Sequence, residues 1–201
     1  DPRIRPMNKT CWWLILHLCI LPKRGRVSGA KYGKIWTAQG SPFDVEHAKL
    51  RELLEDELRA TGANVHVAVG QSYGFPTIPD AVDKLRRAGC ARLVVLPLYP
   101  QSAYSTTYSV SDSVNAALAA ANWDVPCTLV KHYGKDPVYL DAVAQAVRDA
   151  GFGQREGDRL LFNYHSIPLV DIEAGDTYEV QTGATALGVA GRLGIERRQW
   201  T

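Results

Sequence analysis

The sequence predicts an α/β fold in which a parallel sheet of about four strands carries helices on both faces. Two observations lead to this prediction. From Pro42 onward, segments with apolar residues at helical spacing alternate with short β-rich runs. The run over residues 93–98 (LVVLPL) is apolar throughout, which is typical of a strand buried on both faces of a parallel sheet.

Capping and terminating residues mark the individual elements. Most of the predicted helices stop just before a glycine, a common helix terminator, and they span residues 43–61, 79–88, 137–150 and 177–193. The helix over 105–121 is indicated by its start, where serine and threonine oxygens can cap free amides. The β-rich runs predict strands over residues 65–69, 93–98, 128–131 and 159–164.

Residues 1–41 contain no segment typical of a strand, although domains of this class usually open with one. We therefore expect the opening strand to be missing and the chain to be a piece of something longer. The predicted organisation is a single α/β domain over residues 1–201. Within it, residues 1–41 form a helical lip and residues 42–201 carry the strand–helix alternation.

Composition and charge exclude several classes of protein. Apolar residues make up 46% of the chain and charged residues 22%, as in ordinary globular proteins. A net charge of +2 gives no argument for a nucleic-acid partner. The apolar stretch over 11–22 is shorter than the roughly 20 residues that a bilayer-spanning helix needs. Lysine and arginine follow it where a signal peptide would have a cleavage site, so we expect a cytoplasmic protein.

Tryptophans and cysteines give weaker indications. Trp12 and Trp13 suit a half-exposed apolar surface, either a lip over a flat ligand or a patch in peripheral contact with a membrane. Burial inside a larger domain explains them equally well. No two cysteines have C-x2-C spacing, so a structural zinc site is not indicated and we interpret them as reduced thiols.

His165 is the strongest candidate for chemistry. It ends an apolar run and stands three residues before Pro168, at the carboxyl end of a predicted strand, where ligand chemistry collects in α/β sheets. Imidazole can accept a proton or coordinate a metal near neutral pH. The alternative is a histidine bonded to a neighbouring loop. The other histidines lack ligand-like spacing and are predicted to be structural or on the surface: His17, His47, His66 and His132.

Three loops follow predicted strands and should meet at one sheet edge: residues 70–74, 99–108 and 165–168. They offer tyrosines, hydroxyls and one histidine, a mixture that suits a flat aromatic ligand with polar edges. The helix start at 105–107 can bind a carboxylate through free amides. A plain cap there, and ordinary packing of Tyr104 and Tyr108, are the alternatives. Signatures of nucleotide-binding loops and serine hydrolases are absent from the sequence.

Several stretches together resemble the ferrochelatases, enzymes that insert ferrous iron into a porphyrin. Residues 12–13 and 20–22 are similar to the apolar segment near that family's cleft lip, and Tyr32 with the turn at 40–42 (GSP) resembles its tyrosine and G-S-P turn. Residues 70–76 (GQSYGFP) are similar to its G-x-R-Y-x-x-P segment, with Ser72 in place of the arginine.

The most specific likeness lies further along the chain. Residues 94–107 (VVLPLYPQSAYSTT) are close to the family's most recognisable run. Residues 162–168 (FNYHSIP), followed by GDTY at 175–178, resemble its active-site signature, with Asn163 where Ser or Thr is usual. Because order and spacing match, the resemblance implies the amino-terminal half of a ferrochelatase, whose opening strand and acidic catalytic partner lie outside residues 1–201. We expect this piece to be weakly active or inactive by itself.

The resemblance also implies residue roles. His165 would be the catalytic base, or the metal-binding residue that hands iron to the ring. Substrate-binding residues would be Arg24, Tyr32, Ser41, Tyr73, Ser105 and Tyr108. Ferrous iron would be a substrate, with no organic cofactor and no indication of an iron–sulfur cluster. The porphyrin would be coproporphyrin III or protoporphyrin IX, and the abundance of Ser, Thr and Tyr favours the former.

Two alternative functions stay open. One is a related chelatase that inserts cobalt or nickel into another tetrapyrrole, because metal preference is not readable from the ligand set. The other is a non-catalytic half-domain that binds a tetrapyrrole or a partner protein. With the opening strand absent, an exposed sheet edge would favour self-association.

Overall fold

The computed structural model describes residues 8–201 and is a mixed helix and sheet structure, which confirms the predicted α/β class. Residues 1–7 of the predicted lip segment lie outside the described residues. The chain divides into two compact units. The first contains the described residues up to Leu93 together with Ser113–Pro126, and the second contains Val94–Asp112 and Cys127–Thr201.

The first unit opens with continuous helical structure. Helix α1 (Lys9–Leu14) passes through a π-helical turn (Ile15–Ile20) into helix α2 (Leu21–Gly33). Asn8 caps α1, since its side chain accepts a hydrogen bond from the backbone N–H of Thr10 at 2.9 Å. Large apolar side chains along this stretch are exposed, among them Trp13 at 56%. None of the helices between residues 8 and 201 combines the length and hydropathy needed to cross a bilayer.

Two further helices of the first unit carry local stabilising contacts. Helix α3 (Pro42–Ala60) has Glu55 placed between Arg51 and Arg59, at 2.8 and 2.5 Å. Helix α4 (Ile78–Arg87) begins with a capping box between Thr77 and Asp80 and buries one apolar face. Both predicted helices are confirmed, each displaced by one residue toward the amino terminus.

A small open parallel sheet joins strands β1 (Leu93–Val95) and β2 (Cys127–Leu129). The backbone N–H of Leu93 donates to the carbonyl of Pro126 at 2.8 Å, and that of Val130 donates to Val95 at 2.9 Å. Between the strands lie a π-helical turn (Tyr104–Tyr108) and helix α5 (Ser109–Ala120). This β–α–β order is what parallel pairing requires, because the chain must return to the same end of the sheet.

The second unit has its apolar core between two helices. Helix α6 (Pro137–Asp149), capped by Asp136, contacts helix α8 (Tyr178–Leu193). Leu140 and Ala144 of α6 and Val189 of α8 are buried together. The short helix α7 (Leu169–Glu173) precedes α8, and a 3-10 turn (Arg197–Gln199) follows it. The predicted helices over 137–150 and 177–193 are confirmed to within one residue.

The predicted sheet of about four strands is too large for the described residues. Residues 65–69 form no hydrogen-bonded ladder. The segment 159–164 makes only an isolated parallel bridge, in which the N–H of Leu160 donates to Gln199 at 2.9 Å and that of Phe162 to Thr201 at 2.8 Å. β-Rich composition favours a strand, but a strand exists only where a second segment supplies hydrogen-bond partners.

The expectation that residues 93–98 are buried on both faces is also wrong for the described chain. Leu93 and Pro97 are buried, whereas Val94 is 65% exposed and Leu96 and Leu98 are also exposed. Successive side chains of a strand point to opposite faces. One face is therefore packed and the other carries an uncovered row of apolar side chains.

Candidate active site

The imidazole of His165 is exposed and has a defined orientation. Its Nδ1 lies 2.7 Å from the carbonyl oxygen of Ser166. A carbonyl oxygen only accepts, so this contact assigns the proton to Nδ1. Nε2 then keeps its lone pair and can accept a proton or bind a metal ion.

Tyr178, the first residue of α8, lies near the backbone of His165. Burial raises the pKa of the Tyr178 hydroxyl, the backbone of His165 lowers it, and the nearby Asp176 carboxylate raises it further. The net shift is upward, so this phenol stays neutral near pH 7.

Three more tyrosines of the second unit have buried hydroxyl environments. The rings of Tyr133 and Tyr139 meet edge to face, with centroids 5.4 Å apart. Burial raises the pKa of Tyr133, Tyr139 and Tyr164, and the electrostatic influence of Tyr139 adds to the shift of the other two. Tyr164, the residue before His165, therefore keeps a neutral phenol near pH 7. Sequence reasoning missed these tyrosines, although Tyr164 stands next to the histidine.

Ser105 and Tyr108 lie in the π-helical turn Tyr104–Tyr108 and are half-buried. The rings of Tyr104 and Tyr108 pack edge to face at 5.6 Å. Thr107 is fully buried, and its hydroxyl has no hydrogen-bond partner within the described structure. The turn presents one serine and two tyrosines as a compact polar and aromatic group.

Three backbone amides of this turn donate to acceptors of the protein itself. The backbone N–H groups of Thr106 and Tyr108 donate to the carbonyl of Ala103, and that of Tyr104 donates to the Asp176 side chain at 2.7 Å. A residue of the protein therefore already supplies a carboxylate at this position. The amides of Tyr104, Thr106 and Tyr108 are therefore bonded within the protein.

Buried hydrogen bonds tie the loop before this turn to helix α8. The backbone N–H of Ser102 donates to the Gln181 side chain at 2.9 Å, and Gln181 donates to the Ser102 hydroxyl at 2.9 Å. Gln101 donates to Thr185 at 3.0 Å, and Thr185 donates to the carbonyl of Gly134 at 2.7 Å. Paired buried polar groups of this kind fix one geometry, because each broken bond leaves an unsatisfied group.

The other predicted site residues lie in the first unit. Arg24 and Tyr32 are exposed on α2. Ser41 precedes α3 at the capping position, but its side chain makes no capping hydrogen bond. Tyr73 is 70% exposed. The structure thus brings Ser105 and Tyr108 together in one turn of the second unit, which also contains His165.

Tyr73 is displayed by a tightly closed loop. The side chain of Gln71 donates to the carbonyl of Phe75 at 2.8 Å and to Asp44 at 3.1 Å. Gly74 has φ of +115°, and a Cβ there would lie 2.8 Å from the Gln71 amide oxygen. A cavity of about 350 Å³ beside the loop is lined by Asp44, His47, Arg51, Phe75 and Lys84, among others.

Metal-ligand geometry within residues 8–201 is limited. No three or more His, Cys, Asp or Glu side chains of this part of the chain gather in a metal-binding group. All four cysteines are unpaired thiols.

Comparison with known proteins identifies a family that matches the whole chain. The ferrochelatase family model matches residues 1–201. The ferrochelatase of Actinobacillus pleuropneumoniae serotype 5b is 38% identical over 200 residues, that of Nitrosococcus oceani 35% over 200, and that of Marinobacter nauticus 32% over 201. All of this chain is matched, but it spans 61%, 54% and 54% of these relatives. The chain belongs to the ferrochelatase family.

Proposed function

We propose that this chain is part of an enzyme that inserts ferrous iron into a porphyrin, in haem biosynthesis, and that by itself it is weakly active or inactive. The observation that supports the proposal best is the exposed imidazole of His165, whose Nδ1 is bonded to Ser166 and whose Nε2 is open. Family membership supplies the class of reaction. The neutral tyrosines near this histidine suit a flat, largely apolar macrocycle better than a charged substrate.

The proposed chemistry follows from the substrate. Two pyrrole protons must leave the ring as Fe²⁺ binds the four nitrogens, so the reaction needs a proton acceptor. Neutral imidazole is suited to that at pH 7, and Nε2 of His165 is the atom we assign to it. The same atom can instead pass iron to the ring. Distortion of the bound macrocycle, driven by binding energy, would expose the nitrogen lone pairs.

Substrate contacts are part of the proposal. Ser105 and Tyr108 offer hydroxyls and an aromatic face in the second unit. In the first unit, Tyr32 and Tyr73 are exposed, and the hydroxyl of Ser41 is not used as a cap. Propionate groups of the porphyrin require hydrogen-bond donors or cations, which is the role proposed for Ser41 and for Arg24.

Of the two candidate porphyrins, we propose coproporphyrin III as the preferred substrate over protoporphyrin IX. Coproporphyrin has four propionates and needs more polar contacts at its edge. Hydroxyl-bearing residues are frequent in the candidate loops, including those over 102–109. A competition titration tests this preference: coproporphyrin should displace protoporphyrin at equal concentration, and the reverse order would contradict it.

The main test measures porphyrin binding by the Soret band and then iron insertion after anaerobic addition of Fe²⁺. Wild-type protein should bind the porphyrin and produce the metalated spectrum only slowly, as expected of a weakly active piece. His165→Ala should lower the insertion rate about 10²- to 10⁴-fold, the usual contribution of a general base. His132→Ala, an exposed histidine of the same unit, is the matched control and should stay within about twofold. Equal rates in both variants would remove His165 from the proposal.

Other outcomes of this test separate the alternatives. Faster insertion of cobalt or nickel than of iron would indicate a chelatase for another tetrapyrrole. Binding without insertion of any metal would indicate either an inactive piece of the enzyme or a non-catalytic tetrapyrrole-binding protein, and lack of binding would overturn the proposal for this chain.

We also make proposals for the location of the protein, its contact with membranes and its self-association. We place the protein in the cytoplasm, with peripheral membrane contact through Trp12 and the exposed Trp13. We also propose self-association through the exposed row of Val94, Leu96 and Leu98 beside the sheet edge. Cosedimentation with vesicles, with Trp13→Ala as the comparison, and sedimentation over a range of protein concentrations test the two contacts separately.

A further inference from the structure

A buried carboxylate, Asp176, occupies the turn between helices α7 and α8. Only 8% of the residue is exposed. Its backbone N–H donates to the carbonyl of Asp171 at 2.9 Å, which fixes the turn to the end of α7. Burying a carboxylate costs free energy unless it accepts hydrogen bonds. The groups that donate to Asp176 therefore indicate its role.

One oxygen of this carboxylate holds the turn that carries Ser105 and Tyr108. Oδ2 of Asp176 accepts from the backbone N–H of Tyr104 at 2.7 Å. The hydroxyl of Tyr104 donates to the carbonyl of Ala174 at 2.9 Å, so Tyr104 is attached to the Asp176 turn at two points. These bonds join residues 72 and 70 positions apart.

The other oxygen of the Asp176 carboxylate connects it to Tyr178 and, through Tyr178, to His165. Oδ1 of Asp176 accepts from the backbone N–H of Tyr178 at 2.9 Å. The backbone of His165 lies close enough to the Tyr178 hydroxyl to lower its pKa. A continuous set of contacts therefore runs from Tyr104 through Asp176 and Tyr178 to the candidate base.

We infer that Asp176 is a positioning residue, which fixes the Ser105–Tyr108 turn relative to His165 so that both meet one bound porphyrin in a single geometry. The inference rests on the proposed function, since it names how that site is held. Both carboxylate oxygens are needed because each accepts a different backbone N–H, and charge-assisted bonds of this type are stronger than neutral ones. An asparagine has one accepting oxygen and can replace only one of the two.

The test compares Asp176→Asn with Asp158→Asn. Asp158 is the matched control: its Oδ2 accepts from the backbone N–H groups of Gly153 and Arg155 at 2.8 and 3.3 Å, in a separate loop of the same unit. For Asp176→Asn we expect kcat for iron insertion to fall about 10- to 100-fold, since small displacements of reacting groups have effects of that size. Asp158→Asn should stay within about twofold.

A readout independent of catalysis distinguishes positioning from loss of folded protein. In ¹H–¹³C spectra of histidine-labelled protein, Asp176→Asn should shift or broaden the ring signal of His165 while the other histidine signals keep their wild-type positions. The His165 signal is assigned by its loss in His165→Gln. Asp158→Asn should leave it unchanged.

The outcomes separate the two proposals. If wild-type protein binds no porphyrin but the His165 signal responds selectively to Asp176→Asn, the proposed function fails and the positioning role stands. If the signal and kcat match those of Asp158→Asn, the positioning role is overturned. Should Asp176→Asn fail to fold, Tyr178→Phe removes only the hydroxyl through which the Asp176 turn is connected to His165. A selective His165 shift in that variant supports the inference, and an unchanged signal overturns it.

Discussion

The two units of the chain are stabilised in different ways. In the first unit, the side-chain bonds are mostly between near neighbours, such as the Arg51–Glu55–Arg59 set on α3 and the Thr77–Asp80 capping box. In the second unit, hydrogen bonds join residues far apart in the chain, such as Gln101 with Thr185. Within residues 8–201, the buried polar side chains belong to the second unit: Gln101, Ser102, Thr107, Ser109, Asp176, Thr182 and Thr185.

This difference bears on function, because catalysis needs groups held in one arrangement before the substrate arrives. His165, Ser105 and Tyr108 lie in the unit with the long-range buried bonds. Tyr32 and Tyr73 lie in the other unit on exposed surface. A site residue in a rigid network can position chemistry, whereas an exposed one is better suited to binding. Four predictions test the comparison, from the largest expected effect to the smallest.

The core of the second unit should be the most sensitive point. Leu140 is 5% exposed and packs with Ala144 and Val189, so Leu140→Ala should lower the free energy of unfolding by about 2–5 kcal/mol. Leu53→Ala on α3, where the side chain is 55% exposed, should change it by less than about 0.5 kcal/mol. Urea denaturation followed by circular dichroism measures both. Similar losses would mean that the two units do not differ as described.

Two glycines of α8 should respond with opposite signs. A Cβ at Gly188 would lie 2.7 and 3.0 Å from the two Cδ atoms of Leu140, so Gly188→Ala should cost about 1–3 kcal/mol of unfolding free energy. Gly183 of the same helix has nothing within 4 Å of that position, so Gly183→Ala should stabilise by up to about 1 kcal/mol. Thermal unfolding of the pair measures the difference. A stabilising Gly188→Ala would refute the close α6–α8 contact.

In the first unit, removing a helix cap should lower the free energy of unfolding. The Thr77 side chain accepts from the backbone N–H of Asp80, so Thr77→Ala should cost about 1 kcal/mol of unfolding free energy. Ser41 stands at the equivalent position of α3 without a capping bond, and Ser41→Ala should cost only a few tenths of a kcal/mol. Equal costs in urea denaturation would contradict the local character assigned to this unit.

The two units should also differ in pH dependence. Burial raises the pKa of Tyr164 and Tyr139 above the ordinary 10.0, so their contribution to stability is complete below pH 10 and is lost as pH rises through the folded values. In the first unit, the hydrogen bonds from Thr77 lower the pKa of Asp80 below 3.8, and that contribution is lost as pH falls. Tyr164→Phe should reduce the loss of unfolding free energy at alkaline pH and leave the pH dependence at acid pH unchanged. Loss at the acid side in that variant would contradict the assignment.

Helices and their ends were predictable from the sequence. The helix over 137–150 is observed at Pro137–Asp149, because a proline at the start and a glycine after the end act within a few residues of themselves. His165 was also identifiable, because an apolar run ends at it and because residues 162–168 resemble an active-site signature. Strands were less predictable: residues 65–69 have the composition of a strand but no ladder, because pairing depends on a distant segment.

The sequence by itself determined the fold class and the boundaries of helices α3, α4, α6 and α8, and it indicated the candidate base, because these depend on local periodicity, capping and one residue type. Only the tertiary structure decided that Asp176 binds the backbone of Tyr104, because this contact joins residues 72 positions apart. It also decided that the amides of Tyr104, Thr106 and Tyr108 donate to the protein's own oxygens. Local sequence sets propensities within a few residues, whereas the partner of a buried polar group is chosen by how the whole chain packs.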